Sequence, residues 1–286
     1  GLNWSQIDVI RNDSNFVWTV PDRIANNAKI RVRQITETTR STYLSQKKTG
    51  IDKLAFSSES KNLLTASNTG ELYEWDIPNY NKVFTYKITS NASSFPSIKV
   101  KGVGYFDGDS RIFVVYSGLS ASSADAIKLF ARNSADPTIN VPVPADFKVK
   151  TAFISDKHNF IVLVPSSGTG IKIYSAQDGA FIRDVEFGKV ISAFSMNDVA
   201  ESAAVNFVSG ECRILSLPDL SVTEEYDLSY MPFVTMSRLS NDKKFLAIGT
   251  KKTAANVVQL ENCNVYIYDL VNKAFFRRLP SNNADF

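Results

Sequence analysis

The chain has 286 residues, a formal net charge of +3, one histidine and two cysteines. So few histidines and cysteines rule out the usual zinc sites and a disulfide framework, and no apolar run reaches the length of a membrane-spanning helix. No 3.6-residue apolar stripe persists, while β-branched and aromatic residues dominate the short apolar runs, so the sequence predicts an all-β fold.

In chain order, residues 4–10 read as a first strand, and Ile30-Arg31-Val32-Arg33 reads as the third strand of the same unit. The clearest unit follows. It runs Ile51-Asp52-Lys53-Leu54-Ala55-Phe56, then Asn62-Leu63-Leu64-Thr65-Ala66, then Gly70-Glu71-Leu72-Tyr73-Glu74-Trp75-Asp76, then Lys82-Val83-Phe84-Thr85-Tyr86. Six such units span about 3–48, 49–93, 94–145, 146–187, 188–231 and 232–281. Their third strands end at Arg33, Trp75, Phe130, Tyr174, Leu215 and Tyr268, which are 42, 55, 44, 41 and 53 residues apart. The two long intervals each hold an insertion between the second and third strands, one between Tyr116 and Ile127 and one between Gly249 and Asn264. Second strands such as Phe160-Ile161-Val162-Leu163-Val164 are continuous apolar runs, as in a strand buried on both faces. Third strands alternate, and fourth strands are the most polar, as at an outer rim. Turn signals punctuate the units at Asp107-Gly108-Asp109, Asp178-Gly179 and Ser209-Gly210.

A four-stranded unit of about 40 residues is the repeat length of a WD40 blade. The chain resembles the WD40-like β-propeller family over nearly its whole length. The resemblance is carried best by Leu54-Ala55-Phe56-Ser57 through Asn68-Thr69-Gly70-Glu71-Leu72-Tyr73-Glu74-Trp75-Asp76, then by Ser240-Asn241-Asp242-Lys243-Lys244-Phe245-Leu246-Ala247 with Tyr268-Asp269. It implies one propeller domain of six four-stranded blades, or seven with one irregular blade. The repeats are degenerate: no Gly-His pair occurs, and the sole histidine, His158, cannot supply the family's buried Asp-His-Ser/Thr-Trp network. The resemblance implies a non-catalytic protein–protein interaction scaffold. Its expected setting is a larger intracellular complex, nuclear or cytoplasmic, of the kind found in RNA processing, ribosome assembly, nuclear pores or vesicle coats. The chain starts at Gly1 and stops at Phe286, and a segment of a longer protein is expected.

No Gly-x-Ser-x-Gly elbow, P-loop or Gly-x-Gly-x-x-Gly occurs, His158 sits in a turn with no orienting partner in view, and neither a catalytic residue, a metal nor a cofactor is expected. Cys212 and Cys263 read as free thiols. The charge is uneven. Residues 23–53 and 238–278 are basic, and residues 184–227 are acidic. In a closed ring the first and last blades are neighbours, so Arg31, Arg33, Lys251, Lys252, Arg277 and Arg278 would form one basic sector. That sector is the alternative site, for RNA or an acidic lipid such as a phosphoinositide. Phe275-Phe276-Arg277-Arg278-Leu279 is similar to the Phe-Arg-Arg-Gly signature of phosphoinositide-binding propellers, with Leu279 in place of the glycine. Tyr230 and Phe233, flanking Met231-Pro232, are candidate partner contacts.

Overall fold

Between the Gly-, Asp- and Asn-rich turns the apolar runs pair into strands. The computed structural model describes residues 50–89, 98–118, 125–230, 234–250, 253–254, 257–258 and 264–280. These residues belong to one compact unit and contain strands but no helix. In chain order they are β1 (Ile51–Phe56), β2 (Asn62–Ser67), β3 (Glu71–Asp76) and β4 (Asn81–Lys87), then β5 (Ile98–Phe106), β6 (Arg111–Gly118), β7 (Asp125–Ala131) and β8 (Ile139–Pro142). Next come β9 (Val149–Ser155), β10 (Phe160–Pro165), β11 (Gly170–Ser175) and β12 (Phe181–Glu186), followed by β13 (Ile191–Asn197), β14 (Ser202–Phe207), β15 (Glu211–Ser216) and β16 (Val222–Asp227). The last are β17 (Val234–Leu239), β18 (Phe245–Thr250), the short β19 (Thr253–Ala254) and β20 (Val257–Val258), β21 (Asn264–Asp269) and β22 (Ala274–Pro280).

Twenty of these strands form five antiparallel sheets of four, each a meander in chain order, here called sheets 1 to 5. β19 and β20 pair only with each other, inside the insertion between the second and third strands of sheet 5. Five sheets are thus described. The first expected unit, over 3–48, lies outside the described residues.

The repeat is visible in the register. In every sheet the first strand carries one extra residue opposite the second strand: Asp52, Lys101, Lys150, Ser192 and Thr235. A bulge bends and twists its strand, so all five first strands are shaped at equivalent points. Four sheets repeat a second irregularity between their third and fourth strands.

Alternation places the core. On β6, Ile112 and Val114 pack toward sheet 1, while Phe113 and Val115 pack toward sheet 3. On β10, Ile161 and Leu163 face sheet 2, while Phe160, Val162 and Val164 face sheet 4. Successive side chains of a strand point to opposite faces, so a continuous apolar run serves two cores at once. Four apolar layers join the five sheets in sequence. β10 and β14 are buried along their whole length, whereas β12 and β16 are mostly exposed. β18 departs from the expected pattern. Leu246 and Ile248 are fully buried against sheet 4, but the residues between them are only half-buried. Among the described residues, the apolar layer that includes sheet 5 is shared with sheet 4. Exposed apolar side chains mark both end sheets, with Leu54 and Phe56 at 59% and 56% and Met236 and Phe276 at 64% and 62%.

Hydrogen bonds stitch the turns between first and second strands into a row. The Ser58 N–H donates to Asp109 Oδ2 at 2.9 Å. The Asp107 N–H donates to Asp156 Oδ1, and the Asp156 N–H to Asp198 Oδ2 at 2.8 Å. Asn197 Nδ2 completes the row by donating to Asn241 Oδ1 at 2.9 Å. Asp107-Gly108-Asp109 is therefore a strand connection, as its composition indicates. His158 lies in the β9–β10 turn, but it is half-buried rather than a surface residue: its ring stacks on Phe160. Trp75 Nε1 on β3 donates to Thr65 Oγ1 on β2 at 2.8 Å.

Candidate functional site

The five first strands converge. One cavity of about 460 Å³ takes lining residues from every sheet. Lys53 comes from β1, Lys101 from β5, Thr151 and Phe153 from β9, Met196 and Asn197 from β13 and Arg238 from β17, while Asp198 and Asn241 come from the adjoining turns. The bulges bring this about: Lys101 is itself the extra residue of β5, and Lys53 follows the extra residue of β1.

The electrostatics of the cavity are one-sided. Among the described residues three cations line it against one carboxylate. That carboxylate, Asp198, is already an acceptor for the Asp156 and Lys157 N–H groups. Lys53, Lys101 and Arg238 form no ion pair among the described residues. Burial pulls the Lys101 ammonium below its ordinary value, opposed by the fields of Asp125 and Asp52 and reinforced by those of Lys99 and Lys53. The Arg238 guanidinium stands 5.9 Å from the centre of the Phe153 ring, whose other close aromatic neighbour is Phe194, with centroids 5.6 Å apart. Lys150, the bulge residue of β9, is engaged differently: its Nζ donates to the Ser192 carbonyl at 2.5 Å and helps join sheets 3 and 4.

A second concavity, open and about 510 Å³, lies over the turns that carry Asp107, Asp156 and Asp198. Asp156 and Asp198 accept backbone N–H groups from the neighbouring turn, and Asp107 holds Ser110 Oγ at 2.8 Å. Their first duty is structural. No cluster of three or more His, Cys, Asp or Glu among the described residues is arranged to hold a metal ion. Cys212 is a free thiol, buried on β15, and that burial pushes it up to about 12. A thiol so protonated is a packing group rather than a nucleophile. Cys263 lies outside the described residues.

The charge buried most deeply lies elsewhere. Glu74 on β3 is fully buried between sheets 1 and 2. Its Oε2 accepts the Tyr86 hydroxyl at 2.6 Å, and its Oε1 accepts the Tyr105 hydroxyl at 3.1 Å and Arg132 Nε at 2.9 Å. Burial, with the Glu74 carboxylate beside them, pushes both tyrosines well above the ordinary phenol range.

Of the residues singled out from sequence, Arg31, Arg33, Lys251, Lys252 and Phe233 lie outside the described residues. Arg277 and Arg278 sit on β22, opposite Ile267 and Tyr266, and Arg277 is exposed. Tyr230 is exposed in the connection between sheets 4 and 5. Neither Arg277 nor Tyr230 lines the cavity. The cavity cations belong to the first strands of sheets 1, 2 and 5, at different positions relative to the bulge of each strand, so no single repeat position marked them in the sequence. No helix among the described residues is long and apolar enough to cross a membrane. Comparison of the sequence with protein-family models and with characterised proteins finds no match.

Proposed function

We propose that this chain is a WD40-like β-propeller acting as a non-catalytic interaction scaffold within a multi-protein complex. In this reading the five described sheets are five of six blades, the sixth being the unit expected from 3–48. The observation that carries it is the convergence of all five first strands on one cavity. The sheets meet there in chain order, stitched turn to turn and separated by apolar layers. Such a framework holds loops and inner strands rigidly in place, which suits recognition of a partner rather than bond-making. RNA processing, ribosome assembly, nuclear pores and vesicle coats are the settings the repeat pattern suggests.

The test is affinity purification of the protein from its native cells at moderate salt, with and without nuclease. A stoichiometric set of proteins that survives nuclease supports the scaffold. Loss of all partners on nuclease treatment would replace it with the polyanion reading centred on Arg277 and Arg278.

A further inference from the structure

We propose that the cavity bounded by the five first strands is a docking site for an acidic peptide segment of a partner protein, held by Lys53, Lys101 and Arg238. This rests on the scaffold reading and names the partner chemistry.

The first argument is charge. Among the described residues three cations line one space against a single carboxylate, Asp198, whose Oδ2 is held by two backbone N–H groups. A cleft lined by one sign of charge with low-dielectric walls concentrates the opposite sign. Elsewhere among the described residues, buried Glu74 pairs with Arg132, and the partly desolvated Lys128 and Lys150 donate to the Ile88 and Ser192 carbonyls, whereas the Lys101 ammonium has neither an ion pair nor an acceptor there. An unmatched, partly desolvated lysine costs stability, so its presence here points to a ligand that completes the pairing.

The second argument is size and lining. About 460 Å³ accommodates a few side chains. Beside the cations lie Phe153 and Met196, both half-buried. Acidic side chains alternating with apolar ones would match that mixture. Single-stranded nucleic acid asks for something else, a basic track with free aromatic faces on which bases stack. Phe153 already has Arg238 near one face and Phe194 beside it.

The experiment is fluorescence anisotropy on the full chain with a short labelled peptide of alternating Glu and Leu. A peptide with Lys in place of Glu and an oligouridylate of similar length are the comparators. The Glu peptide is expected to bind and to weaken with salt, and the Lys peptide to bind at least roughly tenfold more weakly, each charge pair in a cleft contributing severalfold. The triple variant Lys53→Gln, Lys101→Met, Arg238→Gln is expected to lose roughly tenfold or more at unchanged circular dichroism. Arg277→Gln, on the outer strand, is expected to bind as wild type. If the triple variant does not fold, Lys101→Met alone carries the test, with a severalfold loss expected. Unchanged affinity in the folded variant, no binding of the Glu peptide by wild type, or tighter binding of the oligouridylate through the same three residues would overturn the inference. The two readings fail separately. If nuclease-resistant partners co-purify equally with wild type and triple variant, the cavity site falls and the scaffold stands. If wild type retains no protein partner, the scaffold reading falls first.

Discussion

At the junction of sheets 1 and 2 a carboxylate is fully buried and both of its oxygens are used, by Arg132 and the hydroxyls of Tyr86 and Tyr105. In the cavity, by contrast, Lys53, Lys101 and Arg238 line one space, and among the described residues no carboxylate is paired to any of them. The same chain thus treats charge in two ways. A satisfied buried network fixes how two sheets pack. An unsatisfied set of like charges weakens the fold and waits for an opposite charge from outside.

The largest expected effect breaks the first region. Glu74→Ala leaves Arg132 and two hydroxyls without their acceptor, and should cost about 3–5 kcal/mol in urea unfolding. A change near zero would mean that the network does not join the sheets. Gly210→Ala should come next, at roughly 1–3 kcal/mol. Its φ is 94°, and an added Cβ would stand 2.4 Å from the Ser229 Cα, a backbone atom. Asp109→Ala removes the acceptor for Ser58 N–H and Oγ in the row of turns, and should cost about 1 kcal/mol.

The two regions should also answer pH with opposite signs. Tyr86 and Tyr105 are raised above the ordinary phenol value of 10.0, so the folded chain holds protons that the unfolded chain releases. Their contribution is present below pH 10 and is lost as pH climbs above it. Tyr105→Phe should make the alkaline fall in stability shallower. Lys101 is lowered from 10.5, so the unfolded chain binds its proton more tightly and the penalty lifts as pH rises toward that value. Lys101→Met should therefore stabilise the protein at neutral pH, by only a few tenths of a kcal/mol for a partly exposed group. That gain should shrink toward pH 10.5.

Much of the architecture was legible in the residues themselves. The continuous run at Phe160–Pro165 gave away a strand buried on both faces, and the polar fourth strands gave away exposed sheet edges. β18 misled because an apolar run reports two apolar faces and not what covers them. Glu74, between Tyr73 and Trp75 on β3, is fully buried. Its burial depends on Arg132, 58 residues away in the next unit. The cavity was hidden for the same reason: a local window shows Lys53 and Arg238 at the ends of two basic stretches, not that they share a space with Lys101. Only the packing of the five sheets brings them together, and the bulges at Asp52 and Lys101 leave little trace in composition.

The most direct measurement is Lys101→Met, read twice on the same preparation: urea unfolding at neutral pH, and affinity for the Glu and Leu peptide. A variant slightly more stable than wild type yet severalfold weaker in binding is the expected result. A variant less stable than wild type that binds the peptide equally well would contradict it, and would make Lys101 part of the framework instead.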